Sequence, residues 1–451
     1  MKNIYLILIL AMIVSCKTEP KQAVSEVPAT IAPISDEVLE NAVIYEANIR
    51  QYSVEGTFKE FTKDIPKLKE LGVKIIWVMP IYPISTTKSK GTLGSYYAIS
   101  DYTKVNPEFG NLEDVKNLVK TAHKNGMYVI LDWVANHTGW DHVWLKEHPE
   151  YYTKNEAGKI THTVGTDWTD VADLNYDNLE MRAEMLEDMK YWLKEANVDG
   201  FRCDVAGMVP TDFWENTVAE LKKVKPVFML AEAWEPELMK NAFDMGYSWD
   251  THHRMNHIAK GEETVKNWDD RMAQIDTLYA KDDILMNFVT NHDENSWNGT
   301  VKERMGDASE LMLALSYCAP GMPLIYSGQE YDMNKRLLFF EKDTINKTKG
   351  NVWPILEKLG TLKNTNKALN GGKNAASYTR ISSSDDQNIL IFTREKEGQK
   401  LTFIGNLSNK EINFVFKKEG ESTNYFTNDK VLFSGETEQT FKPWEYKIFI
   451  D

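Results

Sequence analysis

Between residues 42 and 330 the chain repeats one pattern: a short apolar run, an amphipathic stretch of helical length, then another apolar run. This alternation narrows the fold more than any other feature. Strands without strict alternation need cover on both faces, and the helices between them supply it. The candidate strands read AVIYEANIRQY, VKIIWVMPIYP, MYVILDWVANH, VDGFRCDVA, VFMLAEAW, a weaker AFDMGYSW, DILMNFVTNHD and MPLIYSGQE, eight in all. Stretches such as FKEFTKDIPKLKELG and NLEDVKNLVKTAHKNG fill the gaps, each ending at a glycine that stops a helix. Eight parallel strands with intervening helices close most economically into a (β/α)8 TIM barrel. An open doubly wound sheet is the alternative, but the phosphate-binding glycine fingerprint after its first strand is missing.

Two stretches depart from the pattern. From about 138 to 172 the chain carries Trp, His, Tyr and Gly without helical period, which reads as an insertion after the third strand. From residue 369 to 451, alternating runs such as NILIFTR and LTFIGNLS indicate a C-terminal antiparallel β-sandwich domain, leaving 41–368 for the barrel. At the other end, Lys2, the apolar run IYLILILAMIV and Ser15-Cys16 have the layout of a secretory signal, residues 1–15. The run is short for a membrane span. The Pro-, Lys-, Glu- and Ser-rich segment 16–40 reads as a flexible tether. Cys203 and Cys318 lie in apolar segments and read as two buried thiols, and no metal-type cysteine spacing exists.

The formal charge of −15 disfavours a nucleic-acid surface and suits a neutral substrate. Polar residues gather where the apolar runs end. Asp132, Asn136 and His137 close the third strand, Arg202 and Asp204 the fourth, Glu232 the fifth, and His292 with Asp293 the seventh. In a barrel of this kind the active site lies at the carboxyl ends of the strands, so these residues converge. Arg202 and Asp204, two apart on one strand, share a face. A single carboxylate in such a place is usually a helix cap or a structural ion pair; four strands ending this way point to a site.

At these residues the chain resembles the α-amylase family of glycoside hydrolases, family thirteen. DWVANH, GFRCD, AEAW and TNHD are similar to its ordered motifs, and ADLN near Asp173, GSYYAISDYTKVNPEFG and PGMPLIYSGQE add further matches. The resemblance covers roughly residues 40 to 450. It implies a retaining hydrolase of α-1,4-glucosidic bonds in starch-derived glucans and maltooligosaccharides, with two carboxyl groups about 5 Å apart. By the same resemblance Asp204 is the nucleophile, held ionised by Arg202, and Glu232 is the acid, kept protonated among Ala231, Ala233 and Trp234. Asp293 orients the sugar hydroxyls, His137 and His292 bind them, and Tyr97 stacks beneath the ring. Asn136 and Asp173 offer oxygens to a calcium ion bracing the insertion, which several members do without. Where many members have Lys and His after the nucleophile segment, this chain has Gly207 and Met208.

Cys16, placed as in a lipobox, implies a lipid-anchored protein of the bacterial cell envelope, periplasmic or at the cell surface; an ordinary signal is the alternative. The remaining readings are a same-fold α-glucosidase, oligo-1,6-glucosidase, neopullulanase or transglucosylase, and a non-catalytic glycan-binding lipoprotein. The last typically lacks a catalytic carboxylate, and all three are present here.

Overall fold

The computed structural model describes residues 31–451, so the expected signal segment and Cys16 lie outside the described residues. The first ten strands are β1 (Val43–Ala47), β2 (Val73–Val78), β3 (Tyr128–Trp133), β4 (His137–Gly139), β5 (Val171–Asp173), β6 (Gly200–Cys203), β7 (Phe228–Ala231), β8 (Met245–Tyr247), β9 (Ile284–Asn287) and β10 (Met322–Tyr326). All but β4 and β5 close into a parallel barrel in the order β1-β10-β9-β8-β7-β6-β3-β2. Each expected strand is present, and the weakest, β8, is only three residues long.

The helices around the barrel start and stop for local reasons. Thr57 caps the helix Phe58–Leu68 through the Glu60 amide, and Asn111 with Asp114 forms a capping box on Leu112–Lys124. Their apolar faces, among them Phe61, Ile65, Leu118 and Val119, are buried against the outside of the barrel.

The inside of the barrel is a separate core. Ile44, Ile75, Ile130, Leu230, Met286 and Leu324 are among the fully buried side chains that fill it. The period of two along each strand carries this face upward: Ile44 is followed by Glu46, Ile130 by Asp132, and Leu230 by Glu232. Gly200 is the small member of the set. A Cβ there would sit 1.8 Å from the Phe228 carbonyl oxygen, so only glycine lets β6 approach β7 and carry Arg202 into the barrel.

The insertion after β3 forms the antiparallel pair β4–β5, with His137 opposite Asp173. The C-terminal domain adds β11 (Ser377–Arg380), β12 (Ile389–Lys396), β13 (Gln399–Asn406), β14 (Ile412–Asn424), β15 (Lys430–Phe441) and β16 (Tyr446–Ile450). Its two layers come from one six-stranded antiparallel sheet instead of two separate sheets. The β14–β15 hairpin joins β16 only through Thr423 and Asn424, and Phe414, Phe416 and Phe433 close on Ile389, Ile391 and Ile404. Leu390, Phe392, Leu401 and Phe403, one residue out of phase, join the core shared with the barrel domain.

The end of the expected tether is also structured. Asp36–Asn41 is a helix, Glu40 accepts hydrogen bonds from Asn370 and Asn374, and Ile31, Ile34 and Val38 pack against the barrel's inner core. Composition suggested a mobile segment, but its few apolar residues reach an otherwise open barrel end. Cys203 and Cys318 are free and buried, as expected.

Candidate active site

The carboxyl ends of the strands surround a cavity of about 560 Å³. Its floor is built around Arg202, which is fully buried. Arg202 Nη1 donates to Asp204 Oδ1 at 3.0 Å and to Asp132 Oδ1 at 2.9 Å, and Nε donates to the Tyr247 hydroxyl at 3.3 Å. Nη2 lies 2.8 Å from Glu232 Oε2 but is not aligned for a hydrogen bond. Asp204 and Glu232 thus meet at the two ends of one guanidinium, and their side chains keep only 10% and 11% of their exposure, toward the cavity.

Val205 completes the arrangement. Directly after Asp204 it adopts φ 38° and ψ 46°, left-handed backbone that a β-branched residue rarely takes, and its amide donates to Glu232 Oε2 at 2.8 Å. A strained turn therefore aims a backbone donor at the second carboxylate.

On the β9 side, His292 bridges two carboxylates and a phenol. Its Nδ1 faces Glu46 Oε1, while Nε2 lies 2.8 Å from the Tyr97 hydroxyl and 3.4 Å from Asp293 Oδ2. Burial opposes protonation of His292, but Asp293 and Glu46 outweigh it and push its pKa up to about 9. As an imidazolium it donates to Tyr97, whose hydroxyl donates onward to Asp132 Oδ2 at 3.2 Å. The Tyr97 ring lies within 20° of parallel to His292 and 12° to Phe339, lining the cavity as a flat wall. His137 lines it too, tilted against Trp168, and burial lowers its pKa to about 4, so it is a neutral hydrogen-bonding group.

The carboxylates are crowded. Burial, then the facing Glu232, raise Asp204 well above the usual range, and Arg202 opposes them without winning. Burial likewise raises Glu232, Asp132 and Glu46 against the pull of their cationic neighbours. The expectation that Arg202 simply holds Asp204 ionised is corrected in this respect: one guanidinium serves three carboxylates, so protons are retained in the cluster above the ordinary carboxylate range.

Asp204, Glu232, Asp293, Tyr97, His137 and His292 all line the cavity, and Arg202 lies directly beneath. Trp234, expected to dry out Glu232, is instead half exposed and outside the lining; Ala231 and Ala233 are the buried neighbours. Asn136 and Asp173 do meet, but through Thr163: the Asn136 amide donates to Thr163 Oγ1 at 2.9 Å, and Thr163 donates to Asp173 Oδ1 at 2.7 Å. Calcium needs six to eight oxygens. Among the described residues no three His, Cys, Asp or Glu side chains gather to hold a metal, and the Thr163 hydroxyl joins this pair.

Glu46 was not singled out from the sequence, and Asp132 only as a strand end. The signal for Glu46 was present, since it is a carboxylate inside an otherwise apolar run. The left-handed turn at Val205 left no such mark.

The description "Alpha amylase, catalytic domain" fits residues 35–358 of the chain. "Alpha-amylase 3" of Dictyoglomus thermophilum is 25% identical, covering 84% of this chain and 87% of that protein. The solved structure of a noncanonic maltogenic alpha-amylase from Thermotoga neapolitana aligns at TM-score 0.83 and 30% identity, over 91% of this chain and 98% of that one. An alpha-amylase from Lactobacillus plantarum aligns at TM-score 0.82 and 31% identity, over 92% and 100%.

Proposed function

The chain belongs to the α-amylase family and is a glycoside hydrolase, and on that premise we propose that it hydrolyses α-1,4-glucosidic bonds in starch-derived glucans and maltooligosaccharides with retention at the anomeric carbon. The observation that carries this reading is the placement of Asp204 and Glu232 at the two ends of the Arg202 guanidinium, facing one cavity.

Each carboxyl group has one oxygen engaged. Asp204 Oδ1 accepts the aligned Arg202 bond, which works against the protonation that burial favours, and with the cluster's retained proton on Glu232 it leaves Oδ2 to attack the anomeric carbon. Glu232 Oε2 accepts from Val205 and faces the unaligned Nη2, which leaves Oε1 to carry the retained proton toward the glycosidic oxygen. After the leaving sugar departs, the same Glu232, now ionised, takes a proton from the water that releases the glycosyl group from Asp204. Asp293 and the His292 imidazolium stand beside Tyr97, where both hold ring hydroxyls and the Asp293 carboxylate stabilises positive charge developing on the sugar.

Product analysis on starch, pullulan and isomaltose tests the proposal. Maltooligosaccharides or maltose from starch, with isomaltose untouched, are expected; preferential cleavage of isomaltose would replace the reading with an α-1,6 one. The proposed attachment is a lipid on Cys16, supported by the sequence around it. Cys16→Ala is then expected to move the protein from the membrane to the soluble fraction, and an unchanged distribution would reject the anchor.

A further inference from the structure

The mouth of the barrel is walled on the side opposite Glu232. In the closed order of strands, β7, which carries Glu232 at its end, faces β1 across the barrel, with β2 and β10 flanking β1. Residues 86–93, after β2, lie over that far side and are tied to both neighbouring walls. Toward the insertion, the Thr86 and Thr87 amides donate to Asp141 Oδ2 at 2.9 and 3.1 Å. Lys90 Nζ pairs with Asp170 Oδ1 at 3.0 Å and donates to the Asp167 carbonyl at 3.3 Å. Toward the loop after β10, the Leu93 amide donates to the Phe340 carbonyl at 3.0 Å, and the Thr92 amide donates to Glu341 at 2.9 Å.

From below, buried Arg50 holds the Leu93 and Gly94 carbonyls. Gly91, at φ 63°, lets the segment lie against Phe340, where a Cβ would come within 2.4 Å of the phenylalanine Cβ. Lys90, Asp170 and Phe340 all line the cavity, and the Asp170 side chain keeps only 7% of its exposure. A surface ion pair would hold little; this one has a nearly buried anion and is one of several ties in a continuous strap. The Glu232 side is different: Met208 and Trp234, four residues after Asp204 and two after Glu232, are 51% and 49% exposed and lie outside the cavity lining.

Resting on the hydrolase reading above, the geometry points to a cavity that is blind at its glycone end, where the strap 86–93, locked by Lys90–Asp170, stops the substrate chain, so that the enzyme acts from non-reducing ends and releases short products. The acid marks the departing side, because Glu232 must reach the glycosidic oxygen; glucose units on the retained side therefore extend away from β7, into the strap. A free chain end fits there, whereas a chain continuing in that direction runs into the strap.

The test uses a chromogenic maltoheptaoside, free or capped by an ethylidene group on its non-reducing glucose, with coupled glucosidase to release the dye. The wild type is expected to turn over the capped substrate about a hundredfold more slowly than the free one. Lys90→Ala and Asp170→Asn are expected to raise the capped-to-free ratio about tenfold, while Lys90→Arg, which keeps the cation, stays near wild type. Early amylose digests should show short products beside undegraded long chains. Capped and free substrates cleaved at similar rates by the wild type, or a ratio unmoved in both opening variants, would overturn the blind end and leave the hydrolase reading intact. No cleavage of the free substrate would overturn both.

Discussion

The barrel interior holds two regions made by the same strands. In the lower one, Ile44, Ile130, Leu230 and Met286 pack against each other with no charge among them. One pleat higher, Glu46, Asp132, Arg202 and Glu232 occupy the same face, all buried or nearly so. The lower region gains stability from every apolar atom it removes from water. The upper one gathers carboxylates whose burial raises their pKa values, and it stays assembled because Arg202 and the His292 imidazolium each serve several of them. Reactivity is thus bought from stability within a single rise of two residues along a strand.

That division can be broken most sharply from above. Asp204→Ala and Glu232→Gln each remove one of the paired carboxyl groups, and kcat/KM on maltooligosaccharides should fall by roughly four orders of magnitude. The unfolding midpoint should hold or rise, because a crowded buried charge has gone. Activity within tenfold of wild type, or a large drop in midpoint, would show that the upper layer is structural.

Arg202→Leu comes next. Activity should fall by about two to three orders of magnitude, with a stability loss of about 3–5 kcal/mol because buried carboxylates lose their cation. The sign of the pH effect follows from the structure. Arg202 lowers the pKa of both Asp204 and Glu232, so its removal lets both hold protons to higher pH, and the acidic limb of the rate profile should move upward. A profile superimposable on wild type after scaling would mean that Arg202 only positions Asp204.

The smallest effect on catalysis is expected from below. Leu230→Ala sits two residues beneath Glu232 and opens a cavity among fully buried side chains. It should cost about 2–5 kcal/mol of stability. Folded enzyme should keep its kcat/KM within about twofold. A loss matching Glu232→Gln would show that the two layers are one mechanical unit.

Much of this was legible beforehand. The eight strands followed from apolar runs spaced by helical periods, and the convergence of Asp204, Glu232 and Asp293 followed from their place at strand ends. Other features left weak marks or none. Glu46 meets His292 across 246 residues of chain, so no local pattern announces the pair. The segment before β1 looked mobile by composition, yet Val38 and Leu39 cover the bottom of the barrel. The C-terminal runs predicted antiparallel strands correctly, but whether their layers form one sheet or two rests on the Thr423 and Asn424 pairing to β16, a matter of register between distant strands.

By itself the sequence determined what local periodicity and residue order can carry: the strand and helix alternation, the inward face of each strand, and the carboxylates that end them. Only the tertiary structure decided which oxygen meets which donor, that one guanidinium is divided among Asp132, Asp204 and Glu232, and that residues 86–93 reach across to both neighbouring walls. The reason is physical. Hydrophobic periodicity acts between residues a few positions apart, whereas a proton's affinity and a cavity's closed end depend on distances and burial through space, between groups that chain order keeps far apart.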